Sequence, residues 1–419
     1  MMRRHLESAG LWIVIVVGVA LRMTDIAFPD ISTDEAQFAL GASAAQPPFG
    51  MALLRFAQEI FGPSAVAARS VSVLLGIVTL GVIYGIVRHL FDRKTALITL
   101  AVAAIFPSHI LFSRLAYLSV PLSCAWLAVL WAYLKATSKR QSLWLFLLFV
   151  FSVAATLIKT QGLLLPATLL LGRAIERKGK VLRDPVSWIL LLSLVPIALY
   201  IVTHPGIAAT LLLYGGTMYG VSGFWSRMTT LLITWWPVLL LAFPVMIASL
   251  ATMKRLPWPV WVLLLLGTAI GLVLGPGHEY YTTHLVYWAL PIGLLFARMA
   301  TPARGLLLAL LVANTCAILA PHALFATPWT HPLYHEEGYW NTHADRINAA
   351  LADAKSVIAL GSVGHHVRWY VTAQVLVGND MDIAPSHKGL FIVFDRNELT
   401  KIPQATILYE DETLVVARK

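Results

Sequence analysis

The sequence predicts an all-α polytopic membrane protein of about 11 transmembrane helices, with a small α/β domain at its C-terminal end. Three observations predict it. Of 419 residues, 58% are hydrophobic and only 12% charged, at a mean hydropathy of +0.74, and a soluble surface cannot be built from that. Eleven apolar runs approach the length a helix needs to cross a bilayer. Charge also changes sign along the chain: residues 1–330 hold 23 basic and 10 acidic groups, whereas residues 331–419 hold 8 and 11. The composition excludes a disordered chain, a nucleic-acid-binding domain and a disulfide scaffold, since Cys124 and Cys316 both sit inside long apolar runs.

The runs lie near 9–28, 65–87, 95–112, 116–134, 142–158, 160–172, 186–203, 229–250, 257–274, 285–297 and 305–322, the sixth and tenth being short. Met1 to Leu21 has the basic start of a signal peptide, but its run is long and no small-x-small cleavage site follows, so it reads as an uncleaved first span. Cytoplasmic loops retain Lys and Arg. With the N-terminus inside, 17 basic groups of the membrane part fall on the inner side, including Arg173, Arg177, Lys178, Lys180 and Arg183 in one loop. Six remain outside: Arg22, Arg55, Arg69, Arg114, Lys159 and Arg227. An odd number of spans then puts the tail outside, which for a bacterial inner membrane is the periplasm.

Residues 1–330 are therefore expected to form the membrane domain, with interfacial helices in an outer loop at about 29–63, and 331–419 a small soluble domain. In the tail, Ser356 to Leu360 and Leu390 to Phe394 read as buried strands and Thr342 to Ala354 as an amphipathic helix. Ala405 to Lys419 reads as a hairpin turning at Asp411 and Glu412.

The first outer loop carries the acids Asp30, Asp34, Glu35 and Glu59. Thr33 can cap a short helix whose first turn holds Asp34 and Glu35, where carboxylates meet the positive end of the helix dipole. That accounts for both acids structurally; a catalytic pair accounts for them equally. After Gln46-Pro47-Pro48, the stretch Met51 to Phe61 places Leu53, Phe56, Ala57 and Ile60 on one face, suited to the membrane interface. Arg22, Arg114 and Lys159 sit where water is scarce, so each either snorkels or faces a cavity or partner. Arg114 and Lys159 fall on the same side as Asp34, an arrangement that suits an anion such as phosphate. The outer loop His278-Glu279-Tyr280-Tyr281-Thr282-Thr283-His284 is dense in hydrogen-bonding groups; an aromatic belt explains its tyrosines, and substrate binding would explain His278 and Glu279.

His331-x-x-x-His335 with Glu336 has metal-ligand spacing, but Pro332 intervenes and no third ligand is indicated. Gly361-Ser362-Val363-Gly364 makes no convincing phosphate cradle. Trp235, Trp236, Trp258 and Trp261 read as interface anchors.

In order along the chain stand an Arg late in the first span, Asp34-Glu35-Ala36, Pro47-Pro48, Arg69, Phe91-Asp92, Pro107, Ser113-Arg114-x-Ala116, Pro121-Leu122, Lys159-x-x-Gly162 ahead of Pro166, and Tyr287 with Pro291. Over residues 9–300 this order resembles the GT-C glycosyltransferases, in the branch of protein O-mannosyltransferases and lipid A aminoarabinose transferases (family 39-like). The resemblance implies a polyprenyl-phosphate sugar donor in an outward-facing cavity, Asp34 as catalytic base, and Lys159 and Arg114 on the donor phosphate. The chain departs from the pattern at Gln46, where relatives often carry His or Lys, and at Ser119-Val120, where an acid is common.

The expectation is an inverting hexosyl- or pentosyltransferase that moves sugar from a polyprenyl-phosphate carrier to a lipid, glycan or protein acceptor on the outer side of the membrane. Asp34 and Glu35 would be catalytic, and Arg114, Lys159, Gln46, His278, Glu279, Tyr280 and His284 would bind substrate. No cofactor, metal ligand set, nucleotide site or nucleic-acid partner is predicted, and the role of a divalent metal stays open. The alternative is a non-catalytic transporter or flippase of lipid-linked glycans, with Asp34, Arg114 and Lys159 as pathway charges.

Overall fold

The computed structural model describes residues 2–24, 26–27, 33–41, 46–136, 141–178, 180–204, 229, 245, 247–252, 254–273, 279–319, 339–354, 356–360, 369–370, 374–378, 391–395, 406–410 and 414–418. They fall into two compact units, one of Met1–Ile26 with Ser43–His335 and the other of Ala27–Ala42 with Glu336–Lys419. The segment bearing Asp34 and Glu35 groups with the C-terminal residues.

The first unit is a helical membrane body. Its helices are α1 (Met2–Met23), α3 (Pro48–Phe61), α4 (Ala65–Leu90), α5 (Arg93–Ala104), α6 (Pro107–Ser113), α7 (Ser119–Lys135), α8 (Gln141–Ile158), α9 (Leu164–Arg177), α10 (Pro185–Ser193), α11 (Val195–Thr203), α12 (Trp258–Val273), α13 (Ala289–Arg298) and α14 (Thr301–Leu319). Among the described residues, Ala65–Leu90 and Pro185–Thr203 are long and apolar enough to cross a membrane, and α5 with α6, bent by 61°, passes the same test only when the pair is taken together, as a broken span or a re-entrant loop. Shorter apolar helices occupy Ala9–Met23, Ser119–Lys135, Ser142–Ile158 and Trp258–Leu272. Most of the run expected at 229–250, with Trp235 and Trp236, lies outside the described residues.

Three of the expected continuous runs are interrupted. The run at 95–112 breaks between α5 and α6 because Pro107 has no N–H to continue the ladder and holds Phe106 extended, at φ −74° and ψ 113°. The run at 160–172 begins with the 3-10 turn Thr160–Leu163, and the run at 285–297 with the 3-10 segment Glu279–Trp288. Both tighter stretches carry the polar residues whose presence made those runs short.

Small residues let these helices approach. A Cβ on Gly76 of α4 would meet the Ser113 side chain of α6, and one on Gly293 of α13 would meet Thr99 of α5. Loop ends are closed by side chains: Asp92 caps α5 through the Thr95 N–H at 2.8 Å. Asp184 caps α10 through Ser187 and accepts two bonds from Arg173, at 2.9 and 3.1 Å, tying α9 to α10 across the loop. Trp258 donates to the Glu176 carboxylate, so it anchors to the protein rather than only to an interface.

Helix α3 turns Gly50, Met51, Leu54 and Ala57 inward, while Phe56, Ile60 and Phe61 are 57–70% exposed. The expected face thus holds for Phe56 and Ile60 but not for Ala57, which packs inward. The difference is about one helical position, and the close seat of Gly50 against the Ile158 end of α8 sets it.

The second unit contains α2 (Thr33–Ala39), α15 (Tyr339–Ala350) and five strands, β1 (Ser356–Leu360), β2 (Gln374–Gly378), β3 (Phe391–Asp395), β4 (Thr406–Glu410) and β5 (Leu414–Arg418). The sheet order is β2-β1-β3-β5-β4, with β1 parallel to β2 and β3, and β5 antiparallel to β3 and β4. Ile347 and Leu351 pack on Val357, Ala359, Val393, Leu414 and Val416. Strand β2 was not anticipated, and the helix lies earlier than the expected 342–354. The His331/His335/Glu336 and Gly361–Gly364 motifs lie outside the described residues.

Candidate functional site

Five basic residues of the first unit are buried together. Arg22 ends α1, His109 lies in α6, Arg114 follows α6, Lys159 joins α8 to the 3-10 turn, and His284 lies in the 279–288 segment; none is more than 2% exposed. Arg22 interacts electrostatically with Arg114 and His109, His109 with His284, and His284 with Lys159, so electrostatic coupling links the five. Ser108 Oγ donates to the Thr282 carbonyl at 3.0 Å and pins α6 against the segment carrying His284.

The arginines have structural duties. Arg22 Nη1 donates to the carbonyls of Gly18 and Ala104, at 2.9 and 3.1 Å, and Nη2 to Ala103 at 3.4 Å. It therefore supplies donors and positive charge to the C-terminal end of α5, where the helix leaves carbonyls unpaired and a negative dipole end. Arg114 Nε likewise donates to Leu21 near the end of α1, at 2.8 Å, and Arg69 Nη1 to Ile26 at 3.0 Å. Arg22 Nη2 lies 3.0 Å from His109 Nδ1. A guanidinium can only donate, so Nδ1 accepts and the proton of the neutral ring sits on Nε2.

Lys159 is placed by a rigid junction. Its backbone is extended, at φ −154° and ψ 146°, and its carbonyl accepts from the Gly162 N–H at 2.7 Å. The Gly162 carbonyl in turn accepts from Trp126 Nε1 at 3.2 Å. A Cβ on Gly162 would overlap the Ala155 carbonyl, so only glycine allows this turn to close on α8. The Lys159 ammonium lies 4.1 Å from the centroid of the Tyr281 ring.

His284 Nδ1 is 3.0 Å from the Tyr287 hydroxyl, and its ring lies 5.3 Å from that of Trp126. Its Nε2 and the Nε2 of His109 have no hydrogen-bond partner among the described residues. His284 is therefore walled by aromatic side chains, with one nitrogen held in reserve.

Of the other expected site residues, Gln46 is half-buried beside the start of α3; its carbonyl accepts from the Tyr200 hydroxyl at 3.1 Å, and its side-chain oxygen has no partner among the described residues. His278 lies outside the described residues, and of Glu279 and Tyr280 only the backbone is described. Asp34 and Glu35 occupy the first turn of α2, Asp34 half-buried and Glu35 1% exposed. The acids thus belong to one unit and the cations to the other. Among the described residues no group of three His, Cys, Asp or Glu side chains could hold a metal ion.

Sequence reasoning missed His109, Trp126, Gln161 and Tyr281. An ionisable side chain within the apolar run at 95–112 was signal enough for His109. Tyr281 could not be told from a belt residue.

By fold, the chain is similar to integral-membrane glycosyltransferases of the GT-C type. Residues 45–204 match the family described as dolichyl-phosphate-mannose-protein mannosyltransferase. The crystal structure of ArnT from Cupriavidus metallidurans bound to undecaprenyl phosphate is similar at TM-score 0.68 and 16% identity, over 98% of this chain and 97% of that one. Its apo state gives 0.69 and 16%, over 100% and 98%. The archaeal oligosaccharyltransferase AglB from Archaeoglobus fulgidus, in complex with an inhibitory peptide and a dolichol-phosphate, gives 0.59 and 12%, over 96% and 70%. No curated protein sequence matches the chain.

Proposed function

We propose that the protein transfers a sugar from a polyprenyl-phosphate carrier to an acceptor hydroxyl or amine at the outer face of the membrane, with inversion at the anomeric carbon. The observation that carries this reading is the buried run Arg114, Arg22, His109, His284 and Lys159, a concentration of positive charge and N–H donors suited to a phosphate. The similar structures of ArnT bound to undecaprenyl phosphate and of AglB with a dolichol-phosphate support the same ligand chemistry.

The reaction needs little else. The acceptor oxygen or nitrogen forms a bond to the anomeric carbon as the bond from that carbon to the phosphate oxygen breaks. Polyprenyl phosphate leaves with the electron pair, so no general acid is required, and cations stabilise its growing charge. Asp34 takes the acceptor proton and Glu35 orients it or the substrate. Lys159 contacts the leaving phosphate. Arg114 adds charge there, while Gln46, His284 and the loop of His278, Glu279 and Tyr280 shape the sugar and acceptor sites. Eleven spans, a cytoplasmic N-terminus and an extracytoplasmic domain from 331 onward complete the proposal.

The test is turnover by purified, reconstituted protein offered radiolabelled polyprenyl-phosphate sugars and a panel of lipid, glycan and peptide acceptors. Label moving from carrier to acceptor, with free polyprenyl phosphate appearing in equal amount, is the expected result. Carrier that crosses the bilayer unchanged, with no transfer to any acceptor, would replace the enzyme with a flippase.

A further inference from the structure

Lys159 and Gln161, two residues apart on one stretch of chain, grip the same aromatic side chain. The Lys159 Nζ lies over the Tyr281 ring at 4.1 Å from its centroid. Gln161 Nε2 donates to the Tyr281 hydroxyl at 3.1 Å, and Thr160 Oγ1 donates to Gln161 Oε1 at 3.4 Å. Face and hydroxyl of Tyr281 are thus both held by the Lys159–Leu163 junction, whose own shape is fixed by Gly162 and Trp126.

We propose that Tyr281 and Gln161 are positioning residues for Lys159, holding its ammonium over an aromatic face so that it meets the donor phosphate already charged and oriented. This rests on the lipid-phosphate reading above. The electronegative face of the ring attracts the ammonium, and the attraction is strongest where water is excluded, as it is around this 0%-exposed lysine. An ammonium carries three N–H donors, so a ring on one side leaves room for phosphate oxygens on another. Without the ring, a four-carbon chain must be immobilised at the moment of binding, and that ordering weakens affinity. Gln161 prevents the ring from turning edge-on. The effect belongs to donor binding rather than to the proton transfer, which separates it from Asp34.

The test measures binding of undecaprenyl phosphate to the full-length protein by native mass spectrometry, together with KM and kcat for a lipid-phosphate sugar. Tyr281→Leu should weaken binding and raise donor KM about tenfold, equivalent to about 1.4 kcal/mol, with kcat changed far less. Tyr281→Phe keeps the face but loses the hydroxyl that Gln161 holds, and should fall between wild type and Tyr281→Leu, at the level of Gln161→Leu. Lys159→Met should bind as weakly as Tyr281→Leu or more so, and the double variant no more weakly than Lys159→Met alone. If Tyr281→Leu does not fold, Gln161→Leu and Tyr281→Phe carry the test, with the same modest weakening expected of both because each removes the one hydrogen bond. Equal damage from Phe and Leu, wild-type binding by Tyr281→Leu, or multiplying losses in the double variant would overturn the proposal. Wild-type binding by Lys159→Met would remove the phosphate role itself, and the positioning role with it.

Discussion

Arg22 illustrates how one buried side chain can serve structure and electrostatics together. Its donors satisfy Gly18, Ala103 and Ala104 and fix the tautomer of His109. Arg22→Met should cost about 3 kcal/mol or more, since several buried acceptors lose their partner at once; thermal unfolding in detergent would show it as a large fall in Tm. Gly162 is the other residue on which the site depends. Gly162→Ala forces a methyl into the Ala155 carbonyl and should lower both Tm and affinity for polyprenyl phosphate, by roughly 1–3 kcal/mol in stability. An unchanged Tm would show that the Lys159 junction is looser than described. Neither role was legible in the sequence. Arg22 stood out as an expensive charge, but its partners other than Gly18 come from α5 and α6, more than 80 residues away in the chain.

Element boundaries were readable where a local signal set them and obscure where tertiary contacts did. The apolar run expected from 95 marked α5 only approximately; the helix starts at Arg93, where Asp92 accepts from the Thr95 N–H. That bond, followed by opposing burial and by further bonds from Thr95 and Lys94, holds the Asp92 carboxyl below its usual range. The sign follows: the cap contributes fully above the ordinary carboxylate pKa of about 3.9 and is lost as pH falls through the depressed folded value. Asp92→Ala should therefore lower stability by about 1 kcal/mol near neutrality, with the Tm gap to wild type closing in strong acid. A gap that widens below pH 4 would contradict this. The break at Pro107 had its signal in the proline, but hydropathy alone counted 95–112 as one span. Strand β2 was hidden because it pairs only with β1, at the rim of the sheet, and Gln374 to Gly378 is too short to display a period.

For the whole molecule, composition pointed to the membrane class, and the charge change is the signal behind the expectation of a separate tail. The grouping of Ala27–Ala42 with the C-terminal residues was not legible, because nothing local to Thr33–Ala39 specifies contacts more than 290 residues away. Orientation remains a matter of loop charge, and it yields a direct expectation. In a background lacking Cys124 and Cys316, a membrane-impermeant maleimide should label Asp353→Cys in intact cells and Lys180→Cys only after the membrane is opened. The reverse pattern would place the tail inside and remove it from any outward-facing reaction.

The most direct test concerns the carboxylate at position 34. With a working lipid-phosphate donor and acceptor, Asp34→Asn should lower kcat by about 10²–10⁴, the usual contribution of a general base, while donor KM and binding of polyprenyl phosphate stay near wild type. Full kcat in the Asn variant would show that the acceptor proton goes elsewhere, and the mechanism built on Asp34 would fall.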